Sequence, residues 1–143
     1  MLTHHHSRAL GGTLHAAGYA NDSKSRLWPG RIISTILVLF LLFDAIAKLL
    51  RLAPVLQAFD QLGWSRNLAI PLGIVLLTCT LLYLIPYTSA LGALLLTAYL
   101  GGAVATHLRA GQAFYFPIVF GILLWVGLVL RNDRLRILLP MRD

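Results

Sequence analysis

An acid and a base sit one helical turn apart inside a stretch of hydrocarbon. Arg31–Leu50 reads RIISTILVLFLLFDAIAKLL, and beyond Arg31 at its edge its only charges are Asp44 and Lys48. About twenty apolar residues are what a helix needs to cross a hydrocarbon core of roughly 30 Å. An ionisable side chain at that depth is costly, so it marks a position that is paired, functional or turned toward other helices. Asp44, Lys48 and Arg51 follow i, i+4, i+7 spacing and share one helix face. The segment therefore demands neighbours.

Three more apolar segments supply them, at about Leu68–Ile85, Ser89–His107 and Phe114–Leu130. Of the 143 residues 58% are hydrophobic and 12% charged. Soluble domains carry about 25% charge, so this chain cannot cover a water-facing surface and must meet lipid. The links around Pro86-Tyr87-Thr88 and Gly111 are short enough to force antiparallel hairpins. The longer connection Arg51–Arg66 carries Leu52, Val55, Leu56, Phe59 and Leu62 as one apolar stripe, with Pro54 near its start and Gly63 near its end. That pattern predicts a short interfacial helix with Trp64 at headgroup level. The expected fold is all-α: an integral membrane four-helix transmembrane bundle with a short interfacial helix between helices 1 and 2. Residues 27–140 form the bundle, 1–26 a polar tail without the apolar stretch of a signal peptide, and 141–143 the C-terminal end.

The net charge of +7 gathers at the ends of the apolar runs, which speaks for membrane orientation and against nucleic acid. An even number of spans puts both termini on one side, with Arg8, Lys24, Arg26, Arg31, Arg131, Arg134, Arg136 and Arg142; the other side holds Arg51, Arg66 and Arg109. Both termini should face the cytoplasm. The run His4-His5-His6 with His15 lies in the solvated tail, and no spacing elsewhere suggests a metal site. Cys79 is the only cysteine, which excludes an internal disulfide or a CxxC pair.

Topology orders the polar residues by depth. Asp44 and Lys48 fall in the outer half of helix 1, and helix 3 runs outward to Thr106-His107-Leu108-Arg109. Asp44, Lys48, His107 and Arg109 thus share a depth near the outer mouth, where Arg51 joins them and Asp60 comes within reach; Tyr99 and Thr106 offer a further cavity face. Such a set can bind an anion, hydrogen-bond a quinone-like head group, or move a proton. Equally, Asp44 and Lys48 can simply neutralise each other while Lys48 snorkels outward. Ala98, Gly101, Gly102 and Ala105 form a small-residue stripe suited to close helix packing. On a helical wheel His107 lies nearly opposite that stripe, so the small face does not itself present His107 to a central cavity.

The stretches LWPGRI (27–32), FDAIAKL (43–49), LIPYTSALGALLLTAYLGGAVATHLR (84–109) and LRNDRLRILLP (130–140) resemble the DoxX-like family of small bacterial membrane proteins. The resemblance implies a four-helix transmembrane bundle and points to Asp44, Lys48, His107 and Arg109 without giving any of them a catalytic role. The wider group includes small subunits associated with thiosulfate:quinone oxidoreduction and other membrane redox assemblies. The resulting expectation is an accessory or docking protein for a quinone-linked membrane system, with the lipid bilayer, a membrane or periplasmic redox partner and a second copy of itself as partners. No cofactor is evident; a quinone is the ligand to test. The alternatives are a quinone-linked oxidoreductase in its own right, for which no catalytic motif is readable, and a small oligomeric transporter or channel.

Overall fold

The computed structural model describes residues 28–131; the tail expected over 1–26, Leu27 and the stretch 132–143 lie outside the described residues. The described chain is helical throughout: α1 (Trp28–Leu49), α2 (Ala53–Gln61), a 3-10 turn (Arg66–Leu68) leading into α3 (Ala69–Leu84), α4 (Ser89–Arg109) and α5 (Tyr115–Arg131). Pro29 and Pro54 sit in first turns, where the missing N–H costs nothing.

Three helix ends, those of α1, α2 and α4, follow one device. After α1, Leu52 N–H reaches Ala47 O and Arg51 N–H reaches Lys48 O, with Arg51 in the left-handed region at φ 52°. The same pair of bonds closes α2 around Gly63 (φ 70°) and α4 around Gly111 (φ 65°). This is the Schellman closure, which satisfies terminal carbonyls by turning one residue left-handed. Glycine does so freely at two of the three ends; arginine does it under strain at the first.

The four long helices run alternately up and down. α3 packs on α4 and α4 on α5. α1 closes the ring against α3 at Gly73 and against α5 at Gly30, Gly127 and the stacked Phe40 and Phe120 rings, whose centroids are 4.5 Å apart. Large apolar side chains cover the outside, among them Ile36, Leu39, Phe43, Ile74, Leu94 and Ile122. α1, Arg66–Leu84 and α4 are long and apolar enough to cross a membrane; α5, with 17 residues, is shorter and just as apolar. The chain is a multi-pass membrane protein with the expected bundle and interfacial helix.

The core is uneven along the bundle axis. At the end holding Trp28, Pro86 and Arg131 it is dense: Leu37, Leu41, Leu76, Leu96, Leu124 and Leu128 interlock. Tyr83, fully buried, ties three helices there. Its hydroxyl donates to Leu124 O at 3.0 Å and lies 3.3 Å from Ser34 Oγ, while Arg131 donates to Tyr83 O and stands 4.5 Å over its ring. α4 has buried residues only in its first half, from Ser89 to Leu100, and none beyond. The other end is therefore hollow.

The small stripe on α4 is a correction. Ala98, Gly101, Gly102 and Ala105 are all exposed, and a Cβ added at Gly101 or Gly102 would meet nothing within 4 Å. These residues do not pack helices of this chain together. The close approaches lie elsewhere. A Cβ at Gly92 would overlap the Tyr83 backbone, one at Gly127 would come 2.6 Å from Ser34 Oγ, and one at Gly73 would come 3.0 Å from Lys48 Cβ.

Candidate functional site

The hollow end contains a cavity of about 570 Å³. α4 lines its longest wall, from Ala98 to His107, which is about 14 Å at 1.5 Å per residue. α1 contributes Phe40, Leu41, Asp44 and Lys48, and α5 contributes Phe116, Pro117 and Phe120. α2 closes the mouth with Val55, Ala58, Phe59 and Leu62, and Trp64 folds in behind it. The apolar stripe read in Arg51–Arg66 is thus a roof: Phe59 is buried, while Leu52 at the stripe's start stays exposed.

Asp44 and Lys48 form an ion pair, Nζ to Oδ1 2.5 Å, on the α1 wall. The acid precedes the base by four residues, the favourable order on a helix. The Lys48 side chain is 13% exposed and that of Asp44 34%. Gly73 makes this possible, because α3 comes close enough to cover the aliphatic stem of Lys48.

His107 faces them from α4. Its Nδ1 lies 2.8 Å from Ala103 O, and a carbonyl can only accept, so Nδ1 carries the hydrogen. In the neutral ring Nε2 then keeps a lone pair. Thr106 bonds back to Gly102 O at 2.8 Å, and Tyr99 stands two turns deeper. The wheel objection dissolves in the geometry. The cavity spans about half the circumference of α4, with Ala98 and Gly102 on one edge and His107 on the other.

The cavity thus gathers four of the sequence-derived site residues, Asp44, Lys48, Tyr99 and His107, and leaves two out of its lining. Arg51 is spent in the left-handed closure of α1 and is exposed. Arg109 reaches sideways: Nη2 donates to Leu62 O at 3.0 Å and the guanidinium lies 5.9 Å from the Trp64 ring centroid. It straps the loop after α2 onto the end of α4. Asp60 is also absent from the lining; it holds Arg66 in a bidentate pair, with Nε to Oδ1 3.0 Å. Those hydrogen bonds, and the guanidinium charge after them, hold the Asp60 carboxyl below the usual carboxylate range.

Sequence reasoning set Trp64 at headgroup level. The structure turns it inward, with Nε1 buried and without a hydrogen-bond partner among the described residues. Trp125 is not part of the site; its Nε1 donates to Thr97 Oγ1 at 3.0 Å.

Antiparallel apolar helices around a cavity at one end define a small multi-pass α-helical membrane protein with room for a ligand. The DoxX-like family matches residues 32–127, which include the full cavity lining, and the chain belongs to that family. No curated protein and no solved structure matches it.

Proposed function

We propose that this protein is a non-catalytic accessory subunit that docks a quinone-like, lipid-soluble molecule in its end cavity for a membrane redox partner. The observation that carries the reading is the apolar cavity with few converging polar groups. A mostly hydrocarbon pocket with a small number of placed polar atoms is the general form of a small-molecule site. The polar inventory suits carbonyl and hydroxyl oxygens. Lys48 donates, Asp44 and the neutral His107 ring at Nε2 accept, and the Tyr99 hydroxyl does either. Membership in the DoxX-like family, whose wider group includes subunits of quinone-linked assemblies, supports the same reading.

The cavity end faces the periplasm in this proposal, with both termini in the cytoplasm of a bacterial inner membrane. Arg31 and Arg131 lie at the end opposite Arg51, Arg66 and Arg109, and the positive excess stays inside. A reporter fused after Asp143 should therefore be active only if it is of the cytoplasmic type.

The deciding experiment is purification from native membranes, solvent extraction and mass spectrometry of what co-purifies. A quinone enriched over its share of membrane lipid supports the docking role. Quinone at its bulk membrane ratio overturns it.

A further inference from the structure

Two side chains on the α4 wall have already spent the hydrogen they could donate. His107 shares a helix line with Ser89, Leu96 and Leu100, at i, i+7, i+11 and i+18, and those three are buried in the core. Beyond Leu100 the same line looks into the cavity, which His107 lines. Its Nδ1–H is held by Ala103 O at 2.8 Å, so in the neutral ring Nε2 offers a lone pair. Among the buried and half-buried residues described, only Trp64 Nε1 is both unpartnered and wholly covered, so His107 Nε2 is within reach of a guest molecule. Thr106, also in the lining, gives its hydroxyl hydrogen to Gly102 O at 2.8 Å and keeps lone pairs. On the α1 wall Lys48 holds one carboxylate oxygen of Asp44, and the other has no partner among the described residues. Acceptors thus face the cavity from both walls. A carbonyl oxygen brings only lone pairs: it suits Lys48 and leaves His107 Nε2 and the second Asp44 oxygen unpaired against hydrocarbon, which is costly for each. A hydroxyl brings a hydrogen as well, so it can accept from Lys48 or Tyr99 and donate to His107 or Asp44. A charged head would lose its hydration uncompensated, because the charges lining the cavity, Asp44 and Lys48, cancel.

We propose that the cavity selects an uncharged amphiphile by its hydroxyl hydrogen, with His107 Nε2 and the second Asp44 oxygen as the acceptors. The inference rests on the docking reading above and narrows it: of the two forms of a quinone the site holds the hydroquinone, which brings two O–H groups where the quinone brings none. A neutral lipid with a free hydroxyl offers the same chemistry, and the test tells the two apart.

The test uses the full chain in lauryldimethylamine-oxide micelles, whose head groups carry no hydroxyl, and native mass spectrometry under argon. Four probes are compared: decyl-hydroquinone, decyl-benzoquinone, dioctanoylglycerol, and decylbenzene, which has no polar atom. The wild type should retain decyl-hydroquinone about fivefold to tenfold better than decyl-benzoquinone, the worth of one hydrogen bond. His107→Phe keeps a flat ring and removes the acceptor. It should lower decyl-hydroquinone retention by the same factor and leave decyl-benzoquinone and decylbenzene unchanged. Should that variant unfold, the preference of the wild type between the two quinone forms decides alone. Retention of dioctanoylglycerol without decyl-hydroquinone, lost in His107→Phe, keeps the hydroxyl assignment and overturns the quinone reading in favour of lipid. A wild type that holds both quinone forms alike, or a variant that keeps decyl-hydroquinone or loses decylbenzene equally, overturns the hydroxyl assignment while leaving the docking reading intact. A wild type that retains none of the four overturns both.

Discussion

Breaking the Asp44–Lys48 pair one partner at a time probes the site at its centre. The structure makes the two halves unequal. Lys48 is 13% exposed and Asp44 34%, at a separation of 2.5 Å. Exposed pairs contribute about 0.2–1 kcal/mol. Stranding one charge of a buried pair costs about 3–5 kcal/mol. This pair lies between those limits, with the ammonium nearer the buried one. Asp44→Asn leaves the more deeply held charge alone and should cost about 2.5 kcal/mol; Lys48→Met leaves a carboxylate that still sees the cavity and should cost about 2 kcal/mol. The double change removes both charges and should cost about 1.5 kcal/mol, so the pair is non-additive by about 3 kcal/mol. Reversible unfolding of the four proteins in mixed micelles measures all three numbers. Single losses that sum to the double within about 0.5 kcal/mol would show that the two residues do not interact. A larger loss for Lys48→Met than for Asp44→Asn would refute the burial argument. Bound ligand reads out separately: a purely structural pair regains it in the double variant along with stability, and a functional pair does not.

Gly102→Leu should fold with unchanged or slightly raised thermal stability, because a Cβ there meets open space and leucine favours helix by up to about 1 kcal/mol, yet it should weaken ligand retention by taking up part of the cavity. Gly92→Ala should instead cost about 3 kcal/mol in the same unfolding assay, since its methyl would overlap the Tyr83 backbone. Arg51→Gly relieves a left-handed backbone and should stabilise by about 1 kcal/mol with ligand retention intact; a loss of retention would return Arg51 to the site. Asp60 has its folded pKa lowered by Arg66, so its contribution to holding α2 is complete above the ordinary carboxylate range and is lost as pH falls below about 4 and through the lowered folded value. Hydrogen exchange of α2 amides should rise over that window beyond the change in intrinsic rate, and Asp60→Asn should remove the excess dependence.

The spans were legible because lipid imposes a length and a composition, and neither depends on how helices meet. The α2 helix was legible for a related reason: Pro54, the apolar stripe and Gly63 are local signals of a short amphipathic helix. Asp44 and Lys48 announced themselves as a pair because i, i+4 spacing fixes their separation whatever surrounds them. Arg51 and Arg109 misled for one reason. Both were placed by depth, and depth says nothing about direction. Arg51 turns away with the chain as α1 closes, and Arg109 is drawn to a carbonyl and an aromatic face on the loop after α2. Trp64 meets the same limit: an interfacial depth left open which way its ring points, and the ring lines the cavity with Nε1 buried.

The glycines carry the deeper lesson, because one residue type reads the same on a helical wheel whether it means contact or void. At Gly73 the facing helix presents Ala45 O and the Lys48 stem within about 3 Å, so the missing side chain is the space another helix occupies. At Gly102 no neighbour approaches, because α4 has left the core after Leu100 and a short helix, rather than the end of a long one, covers that end of the bundle. The two cases differ only in what stands opposite, which is a property of the assembled bundle. They are nonetheless coupled. Gly73 lets α3 press Lys48 into its pair with Asp44, and Gly102 keeps open the volume onto which that pair faces. A charged pair at lipid depth is tolerable because its charges cancel. An open volume beside it, walled mostly by hydrocarbon, suits the kind of molecule proposed above. Close packing on one side of Lys48 and its absence on the other thus build one site.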